Sequence, residues 1–361
     1  MIIELHILQN FAPSNLNRDD TNSPKECQFG GYRRARISSQ CIKRTVRQSF
    51  NSLISTEFLA KRTKKLAEEI IRRLVKEDKS EEDAKKASIA LIQAAGLKFK
   101  DGDKTEYLLF IGENEIEAAK NIIVSNWVEL IADKPDDKKV KAIGDELKKK
   151  LDGGKAADLA LFGRMLADLP DNNIEAACQV AHAISTHKVG VEFDFYTAVD
   201  DLQNKAESGA GMMGDIEFNS ACYYRYSNID LNQLKKNLDN DEGLSNATVA
   251  AFIRASVSAI PTGKQNSFAA QNPPDFIMAV VRNNGAWSLA NAFVKPIKEG
   301  GSLVADSIRA LVDYWDKLNT AYGSETIRVR NALSLSDFDT QRIDRVNSIQ
   351  DLINCVNASI Q

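Results

Sequence analysis

A chain of 361 residues, 43% hydrophobic and 27% charged, can bury a sizeable core and has room for one elaborated domain or for two. Its 47 Lys and Arg against 50 Asp and Glu leave a formal net charge of −3, which excludes an indiscriminate polycation. No apolar run approaches the length of a bilayer span, and the five cysteines (Cys27, Cys41, Cys178, Cys222, Cys355) are scattered without a Cys-x-x-Cys pair, so a reducing cytoplasm is the expected home.

Residues 1–8 carry Glu4 and His6 inside an apolar run and read as a strand rather than a secretory leader. A loop over 10–27, rich in Asn, Asp, Ser and Pro, leads to Gly30-Gly31, where the chain can turn sharply. A helix then starts at Ser38 or Ser39, either a good N-cap. Gln40, Lys43, Arg44 and Arg47 fall on one face of it, and Ile42, Val46 and Phe50 form a separate apolar stripe. Residues 1–56 hold eight Arg and Lys against four acids, and 27–56 contain no carboxylate at all. A fold that gathers this stretch creates a positive field on an acidic protein, suited to holding a polyanion.

Over 57–150 Lys and Glu are dense and nearly balanced, with helical runs expected at 58–76, 80–95 and 113–131. That pattern describes a solvated helical insertion without chemistry of its own. Pro135 and the Gly153-Gly154 pair mark 133–155 as a mobile connection. Beyond it, 175–186 has helical periodicity and 189–195 and 217–226 read as strands. The intervening 196–216, with Gly209, Gly211, Met212, Met213 and Gly214, forms a projecting hairpin loop too long to be only a turn. The last third alternates helical segments at 248–258 and 301–318 with an apolar strand at 276–281.

The chemistry of catalysis is sparse. His6, His182 and His187 match no zinc spacing and read as packed or surface residues. Pro261-Thr262-Gly263-Lys264-Gln265 resembles part of a phosphate loop but lacks the upstream Gly and the following Ser or Thr of a Walker motif. Asp19-Asp20 could hold a divalent metal for RNA cleavage. Consecutive residues seldom point at one ion, however, and capping a turn is the plainer role. The basic helix is different: it lacks the interleaved acids of a solvated surface, and the backbone N–H groups at its start offer an anion site. Met165, Met212 and Met213 suit a core, although two methionines flanked by glycines on a long loop are hard to bury.

The run Asn17-Arg18-Asp19-Asp20, followed by Phe29-Gly30-Gly31-Tyr32-Arg33-Arg34-Ala35-Arg36-Ile37-Ser38-Ser39-Gln40-Cys41-Ile42-Lys43-Arg44, strongly resembles the CasC family of backbone proteins of type I-E CRISPR Cascade. The likeness recurs at Ala160-Leu161-Phe162-Gly163-Arg164-Met165, at Ala181-His182-Ala183-Ile184-Ser185-Thr186-His187 and at Thr197-Ala198-Val199-Asp200-Asp201-Leu202-Gln203. It continues at Tyr224-Arg225-Tyr226-Ser227-Asn228-Ile229, at Lys264-Gln265 with Ala269-Ala270, and at Ser334-Leu335-Ser336-Asp337. Only 57–150 is poorly matched.

The resemblance implies an α+β fold: a ferredoxin-like, RNA-recognition-type palm with an inserted helical finger and a long hairpin thumb. On this chain the palm's first part, with the basic helix, would occupy 1–56, the finger 57–155, the palm's second part 156–195, the thumb 196–216 and the rest of the palm 217–361. The implied function is non-catalytic: several copies stack head to tail along a guide RNA (crRNA), joined by other Cascade subunits, and present the guide for pairing with target DNA in antiviral defence. A heterologous contact of that kind builds a filament. Carried over by position, Arg18, Lys25, Ser38, Gln40, Lys43, Arg44 and Arg47 would contact phosphates, and Met165, Tyr196 and Met213 would act as apolar wedges beside a displaced base. No cofactor, metal or membrane enters this expectation. The rival is a metal-dependent endoribonuclease of the same superfamily, cutting through Asp19 and Asp20.

Overall fold

The computed structural model describes residues 1–198, 212–298, 300–338 and 342–360. The chain divides into two compact units: one of Met1–Gln48, Val180–Asn228 and Phe252–Gln361, the other of Ser49–Gln179 and Ile229–Ala251. The helical unit thus takes in 49–56, 156–179 and 229–251 besides the 57–155 expected of an insertion. Among the described residues no helix is long and apolar enough to cross a membrane.

The first unit is built on one sheet. Strand β1 (Ile2–Ser14) lies at its middle, and the strand order is Asp344–Arg345, Ile327–Ser334, Phe276–Arg282, β1, Met212–Asp230, Ala183–Ser185, β3 (Tyr32–Ile37) and β2 (Glu26–Phe29). β1 runs antiparallel to Phe276–Arg282, from Ile2 opposite Arg282 to Leu8 opposite Phe276. Leu8, Cys222, Tyr224, Phe276, Met278 and Val280 share one apolar cluster with Trp315 of the helix Leu303–Tyr322. The alternate residues Ile3, Leu5, Ile277, Ala279 and Val281 are buried as well, so both faces of these central strands are covered.

A strand buried on both faces can carry polar residues only if each finds a partner. Glu4 forms an ion pair with Arg282 at 2.6 Å and accepts hydrogen bonds from Tyr226 Oη and the Trp287 N–H. His6 Nδ1 lies 2.9 Å from Tyr224 Oη, and Gln9 Nε2 donates to the Asn272 carbonyl at 2.7 Å. The reading of His6 as a packed residue agrees with this. β1 also extends five residues into the expected 10–27 loop, because Phe11 is buried and its carbonyl accepts from Ser220 Oγ at 2.7 Å.

The Gly30-Gly31 turn joins β2 to β3, with φ of +61° and +81°. At Gly30 a Cβ would lie 2.1 Å from the Val294 carbonyl oxygen, so only glycine lets the hairpin tip reach that backbone.

The second unit is mainly helical: α2 (Leu66–Val75), α3 (Glu81–Ala94), α4 (Glu113–Ser125), α5 (Trp127–Ile131), α6 (Asp137–Lys150) and α7 (Ala157–Phe162). Ile70, Leu74, Leu91, Ile116, Ile123 and Leu147 contribute to one cluster. Two expectations fail here. Part of the expected helix 58–76 is a strand, Ala60–Thr63, paired antiparallel with Leu109–Gly112, and the expected mobile connection 133–155 contains helix α6. Its lysines hide a short apolar stripe of Ile143 and Leu147, both buried, and Asp136 caps it by accepting from the Lys138 N–H at 2.9 Å.

The expected helix over 175–186 is likewise two short strands, Cys178–Val180 and Ala183–Ser185. Ala183 and Ser185 are buried while Ile184 between them is less so, a two-residue alternation that helical spacing mimics over so short a run. The projecting hairpin has a longer stem than expected: Glu192–Ala198 pairs antiparallel with Met212–Asp230, from Glu192 opposite Phe218 to Ala198 opposite Met212. The expected strand at 189–195 therefore begins at Glu192 and continues to Ala198, and the strand expected at 217–226 spans Met212–Asp230. Residues 199–211 of the expected thumb loop lie outside the described residues.

Candidate nucleic-acid interface

Helix α1 (Ser39–Ser49) begins where β3 ends. Ser38 caps it: Ser38 Oγ accepts from the Cys41 N–H at 3.2 Å, and the Ser38 N–H donates to Asn17 Oδ1 at 2.8 Å. Ile42 and Val46 are buried, which fixes the rotation of the helix and turns Gln40 and Arg44 outward, with Lys43 half-buried. No acid lies in the first turn, so the partial positive charge of the N-terminal N–H groups is not offset from within the helix.

The loop before β2 is pinned to this start. The Lys25 N–H donates to the Asn17 carbonyl at 2.9 Å, and the Arg36 N–H donates to the Lys25 carbonyl at 2.8 Å. A cleft of about 500 Å³ opens here, with Arg18, Ser38, Gln40, Arg44, Thr262 and Gly263 in its lining. Asp19 also lines it, but its Oδ1 accepts from the Thr21 N–H (2.9 Å), the Thr21 hydroxyl (2.8 Å) and the Ser23 N–H (3.0 Å). Those bonds, the Thr21 hydroxyl first, hold the Asp19 carboxyl below its ordinary pKa and commit it to a turn. Among the described residues no group of three or more His, Cys, Asp or Glu is placed to hold a metal.

Of the positions expected to contact phosphate, the structure gathers Arg18, Ser38, Gln40 and Arg44 around the cleft. Lys43 and Arg47 lie on α1 outside that lining, and Lys25 sits half-buried at the entry to β2. Among the described residues Arg18, Lys25, Lys43 and Arg44 make no ion pair, unlike most lysines and arginines around α2 and α4, which do. Two arginines counted in the basic excess serve the fold instead. Arg33 pairs with Glu26, and buried Arg34 donates to the carbonyls of Ser185 (3.0 Å), Phe293 (2.6 Å) and Val294 (3.3 Å), with Phe29 and Tyr32 against its guanidinium.

His182 belongs to this region, a placement its lack of metal partners in sequence did not suggest. Pairing of Ala183 with Ile37 brings it beside the start of α1, where Nδ1 lies 3.3 Å from the Ser39 N–H and 3.2 Å from Arg36 Nη1. Both partners are donors, so Nδ1 is the unprotonated nitrogen. Partial desolvation first, then Arg36 and Lys25, lowers the pKa of this largely exposed ring and favours its neutral form.

The apolar positions lie elsewhere. In the helical unit Arg164 is buried and its Nη1 sits 2.8 Å from both oxygens of Glu115, while the next residue, Met165, is 83% exposed. Tyr196 is 41% exposed on the hairpin stem, its ring against the backbone of Gly214 directly opposite. Met213 is paired with Thr197, and its side chain lies outside the described residues. Phe193 and Phe195, alternate residues of one face of the same strand, are 70% and 61% exposed, and the sequence reading had not singled them out. Their signal was present: an aromatic two-residue alternation running straight into Tyr196.

A family model described as "CT1975-like protein" matches residues 3–355. A chain of a solved structure titled "CRISPR RNA-guided surveillance complex, pre-nicking" is 28% identical, with a TM-score of 0.89 over 100% of both chains. Another, titled "CRISPR RNA-guided surveillance complex", is 24% identical with a TM-score of 0.76 over 99% of both chains, and bears on the fold alone. None of the curated proteins compared matches the chain.

Proposed function

This chain belongs to the CT1975-like protein family, and from that premise we propose that it is the non-catalytic, CasC-type backbone subunit of a type I-E Cascade. In this reading it polymerises along the crRNA in the cytoplasm, together with other Cascade subunits, and presents the guide for pairing with target DNA. Its kinship with chains of RNA-guided surveillance complexes supports that role. The observation that carries it is the start of α1: an N-terminus without acids, capped by Ser38 and set among Arg18, Lys25, Lys43 and Arg44, none in an ion pair among the described residues. Cations without an ion pair among the described residues, on a protein of net charge −3, suit a ligand with regularly spaced phosphates.

In family terms the sheet unit is the ferredoxin-like palm, its Glu192–Ala198 hairpin the thumb, and the helical unit the finger. The palm holds the RNA backbone without reading bases, which leaves sequence to be read by pairing with the target. Met165 and Tyr196 are exposed as wedges must be, and prising a base step apart costs a few kcal/mol, which phosphate contacts offset. Against the endoribonuclease alternative, Asp19 Oδ1 accepts three hydrogen bonds within the 19–23 turn, and among the described residues no group of three or more His, Cys, Asp or Glu is placed to hold a metal.

The decisive experiment co-expresses the chain with a repeat-spacer transcript and its partner subunits and maps the RNA shielded from nuclease. Protection along the spacer that lengthens with added copies is expected. An assembly that retains no RNA, or specific magnesium-dependent cleavage lost in Asp19→Ala protein, overturns the reading.

A further inference from the structure

The Pro261-Thr262-Gly263-Lys264-Gln265 run is no Walker loop, and the backbone-subunit reading assigns it nothing. The structure gives it a definite place. Thr262 and Gly263 line the same cleft as Arg18, Ser38, Gln40 and Arg44. At Gly263 a Cβ would lie 2.3 Å from the Leu16 carbonyl oxygen and 2.8 Å from that of Asn15, so the turn is pressed against the loop that carries Arg18. Gln265 closes the turn: its Nε2 donates to the Pro261 carbonyl at 3.0 Å and to the Ala270 carbonyl at 3.2 Å.

Inside that clamp Lys264 has φ of +51°, the left-handed region that a lysine adopts only when its surroundings hold it there. It is half-buried and makes no ion pair among the described residues. A strained cation without a carboxylate, one residue beyond the lining of an anion cleft, is a poor device for stability alone. Thr262, exposed in the lining, adds a hydroxyl that can donate to a phosphate oxygen.

We propose that the 261–265 turn is a second RNA-backbone element of the palm, with Lys264 and Thr262 holding the phosphodiester chain across the cleft from the α1 start. The ligand class is a single-stranded RNA backbone, not a nucleoside triphosphate. This inference rests on the RNA-binding reading above.

The full chain is titrated with a spacer-length single-stranded RNA at several salt concentrations. Lys264→Gly removes the charge and relaxes the left-handed backbone, and Lys264→Asn does the same with a side chain that tolerates that conformation. Both are expected to lower the slope of log affinity against log salt by about 0.7, the value for one lost single-strand contact, while thermal stability holds or rises. Thr262→Ala is expected to weaken binding with the slope unchanged. Lys43→Ala/Arg44→Ala protein is the reference. If it loses slope and the Lys264 variants do not, the turn is scaffolding and the inference fails alone. If neither loses slope, the RNA-binding reading fails and takes the inference with it.

Discussion

His182 Nδ1 accepts a hydrogen bond from the Ser39 backbone N–H, 3.3 Å away, at the first residue of the basic helix. The same nitrogen faces the Arg36 guanidinium, so one neutral imidazole orients a cation and steadies the helix start. His182→Ala is expected to weaken RNA retention several-fold. His182→Asn, whose Oδ1 can take the place of Nδ1, should recover most of the loss, and His182→Gln should not. Filter binding of the full chain distinguishes these, and equal binding by the Ala variant would make the contact dispensable. The sign with pH follows from the lowered pKa: the neutral acceptor is secure above the ordinary value of 6.5 and is lost as acid protonates Nδ1.

Lys43→Ala and Arg44→Ala should each reduce the salt slope of RNA binding by about 0.7, and the double variant by about 1.4. Arg34→Lys should leave that slope unchanged, although Arg34 lies in the same basic run. Its guanidinium serves three backbone carbonyls, and an ammonium cannot reproduce that fork. A lower thermal midpoint, equivalent to about 1–3 kcal/mol, is the expected signature, the usual cost of leaving a buried acceptor unpaired.

His6 makes the sheet unit acid-sensitive. Burial, with a smaller contribution from Arg282, lowers its pKa from 6.5 to about 3, so the folded state excludes a proton that the unfolded chain binds. The stability tied to neutral His6 is therefore fully present above pH 6.5 and lost as pH falls toward 3. Glu4 acts oppositely, because burial raises its pKa and makes its ionised form a cost at neutral pH. Denaturant unfolding of the wild type against His6→Gln isolates the histidine. Between pH 6 and pH 4 the wild type should lose up to about 1.4 kcal/mol per pH unit more than the variant, one proton's worth. Parallel curves would show that His6 does not titrate on unfolding.

Glu115 and Arg164 supply the corresponding test in the helical unit. Besides Arg164, the Glu115 carboxylate accepts from the N–H groups of Gly112 and Gly153, each at 2.7 Å. Arg164→Met keeps the bulk but leaves a buried carboxylate without its cation, which should cost about 3–5 kcal/mol. Hydrogen exchange across α4 should report the loss directly. Met165→Ala, one residue along, should leave both that protection and the RNA salt slope unchanged, since Met165 is exposed and uncharged.

In the sequence by itself, short-range chemistry was enough for a serine cap at Ser38 or Ser39, for the two faces of α1 and for the Gly30-Gly31 turn, whereas the mixed α+β class and the kinship with chains of CRISPR surveillance complexes came from motifs resembling a known family. A serine caps the helix it precedes, Ile42 and Val46 recur at helical spacing, and paired glycines turn the chain whatever surrounds them. Short-range patterns failed where another element supplies the partner. Helix α6 passed for a linker because its stripe is too short to stand out among lysines, and 175–186 passed for a helix because ladder bonds come from elsewhere in the chain. Composition could count the arginines of 27–56 but not assign them. Only the tertiary structure turned Arg34 inward to its carbonyls, left Arg18 and Arg44 without an ion pair among the described residues, and brought His182 and the 261–265 turn to the start of α1. Burial and partner choice depend on residues more than a hundred positions apart, and no local window contains both members of such a pair.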